Sequence, residues 1–494
     1  MRSGRSERLL VFLAALIPRL ALAWVTFGST DIVHCFKNTT SILSGQQPFL
    51  PYLPGVEILI WFGGLLAHFT NIPPGLAYKL IPLLFDCGIA VLLRDARSMR
   101  TGLLYAIAPV PMIIVCMHGQ WDSLFLYFLT LALVLAERDG ARVQGLAGAA
   151  WFLSIVPKPL ALPLVLLFLP SPREVGRSPE ARRKAFSFLF GAGAAGLLYA
   201  FVLVLADSIP SMERLRLILI YGGAGHGFFG LPWLAGLPLA RYWTLIPFAF
   251  ILAMVWMGRM RREEGVLLFF VMAMVNSALA PQYLGWLVPF ALLADRRRFL
   301  ALYLLVAGVF LALFYRSIGV NEPTIVFVGA YAVLKQVAWL SPPATSDQVA
   351  KWVAWIGNYA LPLLCLGYGI WAFLRSWRQR PTSRLTSRPL ATILAPAVLL
   401  LSVLALAVVW GLAQPPVAPN DFVDRILRRV EVYDVVRFAG RREDVRWVPG
   451  RMARPSTANH VINLSTILLA LVAVSSVATW LNLEKESSIE DVQP

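Results

Sequence analysis

The side chains in this 494-residue chain that could do chemistry sit in short polar segments between long apolar runs. The first segment reads Gly28-Ser-Thr-Asp31-Ile-Val-His34, followed by Ser44-Gly-Gln-Gln-Pro48 and Pro51-Tyr-Leu-Pro54. Next come His118-Gly-Gln120-Trp-Asp122 and Pro157-Lys158-Pro159. Gly222-Gly-Ala-Gly-His226-Gly, Arg241, and Asn276 through Pro281-Gln282-Tyr283 to Trp286 complete the set. A carboxylate such as Asp31 or Asp122, within hydrogen-bond reach of a hydroxyl, can take its proton as that oxygen attacks. Lys158, His118 and Arg241 are cationic or hydrogen-bonding groups of the kind that can stabilise developing negative charge.

Each residue also has a structural reading. Asp31 and Asp122 suit helix caps or turns, Asp122 as the cap of a helix over 122–136. Trp121, Tyr283 and Trp286 suit an aromatic belt at a membrane surface. Lys158 can snorkel outwards from a short span, and His226 can mark a flexible glycine loop. Asn38-Thr-Thr40 and Asn463-Leu-Ser465 match glycosylation acceptors, a short and unspecific pattern. The chain contains no phosphate-binding G-x-x-x-x-G-K-[ST] run, no kinase signature and no His/Glu metal pair on a helix. Cys35, Cys87, Cys116 and Cys365 are scattered and imply neither zinc nor a disulfide framework, so no cofactor is expected.

The elements that must position these residues follow from composition. Hydrophobic residues make up 58% of the chain and charged residues 14%, where soluble domains carry about 25% charge. The apolar residues fall in blocks long enough for membrane helices, separated by basic clusters, which excludes a soluble enzyme and a disordered chain. The pattern predicts an all-α, polytopic helical bundle of about 12–14 spans. They lie near 9–27, 76–93, 101–117, 122–136, 144–156, 159–170, 185–206, 242–257, 265–280, 283–294, 299–315, 353–374, 390–412 and 461–481. Stretches 52–70 and 324–340 are read as outer-face interfacial helices, the second with the alternative of a further span. Leu9 to Phe27 follows three arginines as a signal peptide would, but Arg19 and the many later runs favour a retained span. Asp86, inside 76–93, must face another helix, because lipid exposure is costly.

With an N-terminus on the cytoplasmic side, the short loops there hold 24 Lys and Arg, against eight on the opposite side. That asymmetry accounts for the net charge of +17, so nucleic acid is not an expected partner. Four parts follow: a transmembrane module over 1–315, further spans over 316–413, a polar outer segment over 414–460, and a last span with an acidic tail over 461–494.

The order of the outer motifs resembles the GT-C superfamily of integral membrane glycosyltransferases. An acid directly follows the first span, then come a G-x-x-P segment and a Tyr-x-Pro element before an interfacial helix. His118-Gly-Gln-Trp-Asp122, a Lys-Pro pair one hairpin later, and Pro281-Gln282-Tyr283 ahead of a Trp-containing span continue the likeness, which covers roughly residues 9–315. The order is closest to the prokaryotic mannosyltransferase-like branch. The resemblance implies a polyprenyl-phosphate sugar as donor, a glycan, lipid or protein acceptor, and a site on the outer face of a prokaryotic cell membrane. Asp31 matches the position of the catalytic acid. His118, Gln120, Asp122, Lys158, His226, Arg241, Gln282 and Tyr283 are the substrate-binding candidates. Thr30-Asp31-Ile32-Val33 departs from the paired acids of some relatives, so no metal is assigned. The competing expectations are a transporter or flippase, another lipid-linked glycan ligase or polymerase, and a non-catalytic scaffold. A transporter would place ionisable groups deep in the spans and repeat its span pattern.

Overall fold

The computed structural model describes residues 2–25, 32, 35, 56–69, 72, 74–205, 245–275, 280–321 and 352–378. Its regular elements are all helices among the described residues. Helix α1 is Arg2–Val25, α2 Val56–Phe69 and α3 Pro74–Ala96. Met99–Ala106 forms α4, and Pro109 and Pro111 then interrupt the chain, so α5 (Pro109–Met112) and a π-helical turn (Ile113–His118) leave at 47° to it. Proline lacks the amide proton that a continuous helix would need.

After α6 (Asp122–Ala136) and α7 (Ala141–Ile155), Pro157, Pro159 and Pro163 tighten the chain into a 3-10 turn (Pro159–Leu164) before the short α8 (Val165–Phe168). Then come α9 (Pro172–Arg177), α10 (Pro179–Leu205), α11 (Leu245–Trp256) and α12 (Arg262–Val275). A 3-10 turn (Pro281–Gly285) leads into α13 (Leu287–Leu293), and α14 is Arg297–Asn321. A helix beginning at Trp352 passes through a π-helical Ile356–Ala360 into α15 (Leu361–Arg378).

Among the described residues, four helices are long and apolar enough to cross a membrane: Gly75–Ala96, Pro179–Val204, Arg297–Phe314 and Trp352–Arg378. The bent pair Met99–Ala106 and Pro109–His118 makes a fifth if counted as one span. Of the other expected spans, 122–136 and 144–156 fall on helices of 15 residues each, and 283–294 is divided between a 3-10 turn and a short helix. Asp122–Ala136, Pro159–Phe168 and Ile246–Trp256 are apolar helices that are shorter. The expected spans at 390–412 and 461–481, the helix at 324–340 and the segment 414–460 lie outside the described residues.

The longest helices turn apolar side chains outwards. On α10, Phe186, Phe190, Leu197, Phe201 and Val204 are exposed, an arrangement that suits hydrocarbon and not water. On its other side α10 meets α7 at backbone distance: a Cβ on Gly148 would lie 1.9 Å from the Phe188 carbonyl oxygen. Small residues permit that approach, as they do between membrane helices.

Arg19 and Asp86 are fully buried and face each other between α1 and α3. Arg19 Nε donates to Asp86 at 2.5 Å, and the Tyr105 hydroxyl donates to the other carboxylate oxygen at 2.6 Å. Asp86 thus faces a neighbouring helix, as the sequence requires.

The basic loops converge on one end of the bundle. Arg94 pairs with Glu7 of the N-terminal helix and with Asp95. Arg97 reaches Glu137, Glu263 and the Leu293 carbonyl. Arg262 donates to Ala136, Arg261 to Ala294 and Arg259 to Trp377, while Lys184 pairs with Asp139. Burial, and the neighbouring charge of Glu263, push the Glu137 carboxyl above its ordinary value, against the pull of Arg97 and Arg261. A cysteine at exposed Asp139 should therefore be silent to an impermeant thiol reagent in intact cells and react after lysis, whereas one at Ser29 should react at once. The described native cysteines are buried and give little background. Labelling of Asp139→Cys in intact cells, with Ser29→Cys protected, would invert the orientation.

Candidate functional site

The opposite end of α6 carries the other polar cluster. Fifteen residues of helix separate Asp122 from the basic end, a rise of about 22 Å. The π-helical turn ends at Gly119, whose φ is +82°, and the chain reverses there into α6. A left-handed conformation suits glycine, and space requires it as well: a Cβ at this position would lie 2.5 Å from Ile32 Cγ1 and 3.5 Å from Lys79 Cε. Gly119→Ala is expected to lower stability by about 1–3 kcal/mol, measured as denaturant unfolding in detergent. An unfolding midpoint equal to wild type would show that the turn has no such constraint.

Asp122 is the first residue of α6 and does not act as its cap. Its side chain turns into the bundle, nearly fully buried. One oxygen pairs with Lys158 Nζ at 3.1 Å, and the other accepts from the Trp286 indole nitrogen at 2.7 Å. Lys158 stands in the extended residue between α7 and the 3-10 turn at Pro159, where the flanking prolines keep a helix from continuing. Its ammonium lies 5.0 Å from the ring centres of both Tyr283 and Trp286, within cation–π range.

The two rings are themselves fixed. Tyr283 and Trp286 lie 4.2 Å apart, and Trp286 packs edge-on against Phe125 and Phe270. The Tyr303 hydroxyl donates to the Leu284 carbonyl and anchors their 3-10 turn to α14. Ser123 donates to the Pro82 carbonyl at 2.7 Å and ties the start of α6 to α3.

Three structural readings are therefore corrected. Asp122 does not cap its helix, Lys158 does not snorkel outwards, and Trp286, only 3% exposed, is not a belt residue. Trp121, also taken for a belt residue, is likewise buried, packed with Ile32, Val56 and Ile60. One Asp122 oxygen accepts from Trp286, and the other is ion-paired with Lys158 without a hydrogen bond.

The structure brings Asp122, Lys158 and Tyr283 together, with Trp286, and places His118 and buried Gln120 on the turn leading to them. Gln282 lies on the same 3-10 turn as Tyr283 without a hydrogen bond to a described residue. Asp31, His226 and Arg241 lie outside the described residues. Ile32, the residue after Asp31, is fully buried against Gly119.

Lys79 is not among the sequence candidates. It is a fully buried lysine on α3 beside Gly119, and its signal is a lone cation in the apolar run 76–93. No three His, Cys, Asp or Glu side chains come together as a metal ion would require, among the described residues. Chemically, the cluster offers an oriented, partly accessible ammonium bordered by aromatic rings. No family model matches the chain, and no curated protein or solved structure matches it.

Proposed function

We propose that this chain is a membrane glycosyltransferase. It moves a hexose, mannose by the order of its motifs, from a polyprenyl-phosphate donor to a glycan, lipid or protein acceptor. The reaction takes place at the outer face of a prokaryotic cell membrane, the end away from the basic loops. The observation that carries the reading is the Lys158 ammonium, fixed by Asp122 and two aromatic rings yet with 15% of its side chain accessible.

In this reaction the acceptor oxygen attacks the anomeric carbon, the bond from that carbon to the phosphate oxygen breaks, and the acceptor proton passes to a base. Asp31 is that base, beside Ile32 in the chain, which packs on Gly119. The phosphate carries one negative charge as a diester and gains another as it departs. A cation already oriented beside it therefore favours the transition state over the bound donor. Lys158 supplies that cation, and Asp122 positions it. Buried Lys79 and, at the end of the π-helical turn, His118 stand around the same glycine turn.

The buried Arg19–Asp86 pair is the kind of feature a transporter would need, but its groups are locked together with Tyr105 and backbone carbonyls, which favours a structural role. Purified protein should release polyprenyl phosphate from a radiolabelled polyprenyl-phosphate mannose and pass the label to an acceptor. If no member of a panel of polyprenyl-phosphate sugars turns over, the reading fails.

A further inference from the structure

We infer that an arginine-lined cavity at the basic end of the bundle binds the phosphate headgroup of an anionic phospholipid. The cavity, of about 530 Å³, lies where the α11–α12 loop, the α13–α14 turn and the end of α15 meet. That volume is within the range of small-ligand sites. Its charged lining is Arg259, Arg261, Arg296 and Arg375 against Glu264 and Asp295.

The acids are already engaged. Glu264 pairs with Arg296, and Asp295 pairs at 2.8 Å with Arg297, which is not one of the lining residues. Arg261 shares Glu263 at 3.1 Å. Arg259 and Arg375 have no carboxylate partner among the described residues. Arg259 instead donates to the Trp377 carbonyl and lies 5.2 Å from that ring's centre, and Arg375 lies 5.4 Å from the centre of Trp371. The Nε–H groups of Arg259 and Arg296 are buried without a hydrogen-bond acceptor among the described residues. Those atoms are enclosed, so a phosphate in the cavity would meet the outer guanidinium nitrogens of Arg259 and Arg375, neither of which has a carboxylate partner among the described residues.

The surroundings select a lipid over a soluble anion. Trp371 and Trp377 are half-exposed, and Leu363, Ile370 and Leu374 of the same helix are exposed beside them. Tryptophan over an apolar face marks headgroup depth, so a phosphate in the cavity would have its acyl chains along α15. Basic pockets between membrane helices on the positive side are suited to anionic headgroups. The inference does not rest on glycosyl transfer; it requires only that the apolar helices stand in a bilayer.

Native mass spectrometry of delipidated full-length protein tests it, titrating phosphatidylglycerol and, separately, phosphatidylcholine. One phosphatidylglycerol should bind in preference to phosphatidylcholine, and the double variant Arg259→Gln, Arg375→Gln should bind it about thirty-fold more weakly. Arg142→Gln with Arg298→Gln, which removes two exposed charges at the same end that neither line the cavity nor pair with its acids, should leave that affinity unchanged. Equal affinity in wild type and the Arg259/Arg375 variant would overturn the site, as would equal binding of the two lipids. Thermal stabilisation by inorganic phosphate, with no preference for phosphatidylglycerol, would assign the cavity to a soluble phosphate and overturn the lipid assignment.

Discussion

Replacing Lys158 with alanine should slow turnover of a polyprenyl-phosphate sugar by about two to three decades, the usual effect of losing one donor to developing charge. The same change should cost about 3 kcal/mol of stability, because it strands a buried carboxylate. Asp122 keeps its bond from Trp286, which places the loss near the lower end for broken buried pairs. The two effects can be separated. In the double variant Asp122→Asn, Lys158→Met the charge is gone from both sides, so stability should recover while turnover stays low. Lys158→Arg keeps the charge and loses its compact geometry, so its turnover should fall between wild type and alanine. Rates per folded molecule in detergent-purified, monodisperse protein decide the matter. If the double variant turns over like wild type, Lys158 only holds the fold.

The site was legible in the sequence as segments and illegible as contacts. His118 to Asp122, Pro157-Lys158-Pro159 and Pro281 to Trp286 stand out because polar residues are rare between apolar runs, and the structure joins all three. Their partnership depends on where α6, α7 and α13 begin and end, which no local pattern specifies. Asp122 has the residue type and position of a cap, and only the packing of Trp286 shows that its side chain turns inward. Lys79 was hidden for the opposite reason: one cation barely lowers the hydropathy of a long apolar run, although its burial makes it the more informative residue.

Sidedness was the most legible property of the fold. The basic loops meet at one end, as the charge asymmetry requires, and Arg97 alone links the segment after α3 with the start of α12 and the end of α13. Span count was less legible, because hydropathy registers apolar length and not helix continuity. Pro109 and Pro163 break runs, 101–117 and 159–170, that composition reads as continuous.

Arg19→Met should be the most destabilising single change in the described core. Asp86 would remain buried with only the Tyr105 hydroxyl to meet its charge, a loss of about 3–5 kcal/mol. The guanidinium has a second task. The proline break after α4 leaves the Ala106 carbonyl without an amide partner, and Arg19 donates to it at 2.5 Å and, at 3.4 Å, to the Tyr105 carbonyl that the Ala108 amide also meets. A carboxylate partner alone would not explain that geometry. The double variant Arg19→Met, Asp86→Leu should therefore recover only in part, because removing both charges still leaves the Ala106 carbonyl unmet, at about 1–3 kcal/mol. Arg19→Lys should not rescue, since one ammonium cannot serve a carboxylate and two helix-terminal carbonyls with the reach of a planar fork. Unfolding followed by circular dichroism in mixed micelles measures each step. Full recovery in the double variant would reduce Arg19 to a counter-ion for Asp86, and a wild-type midpoint for Arg19→Met would remove the pair from the forces that hold α1 to α3 and α4.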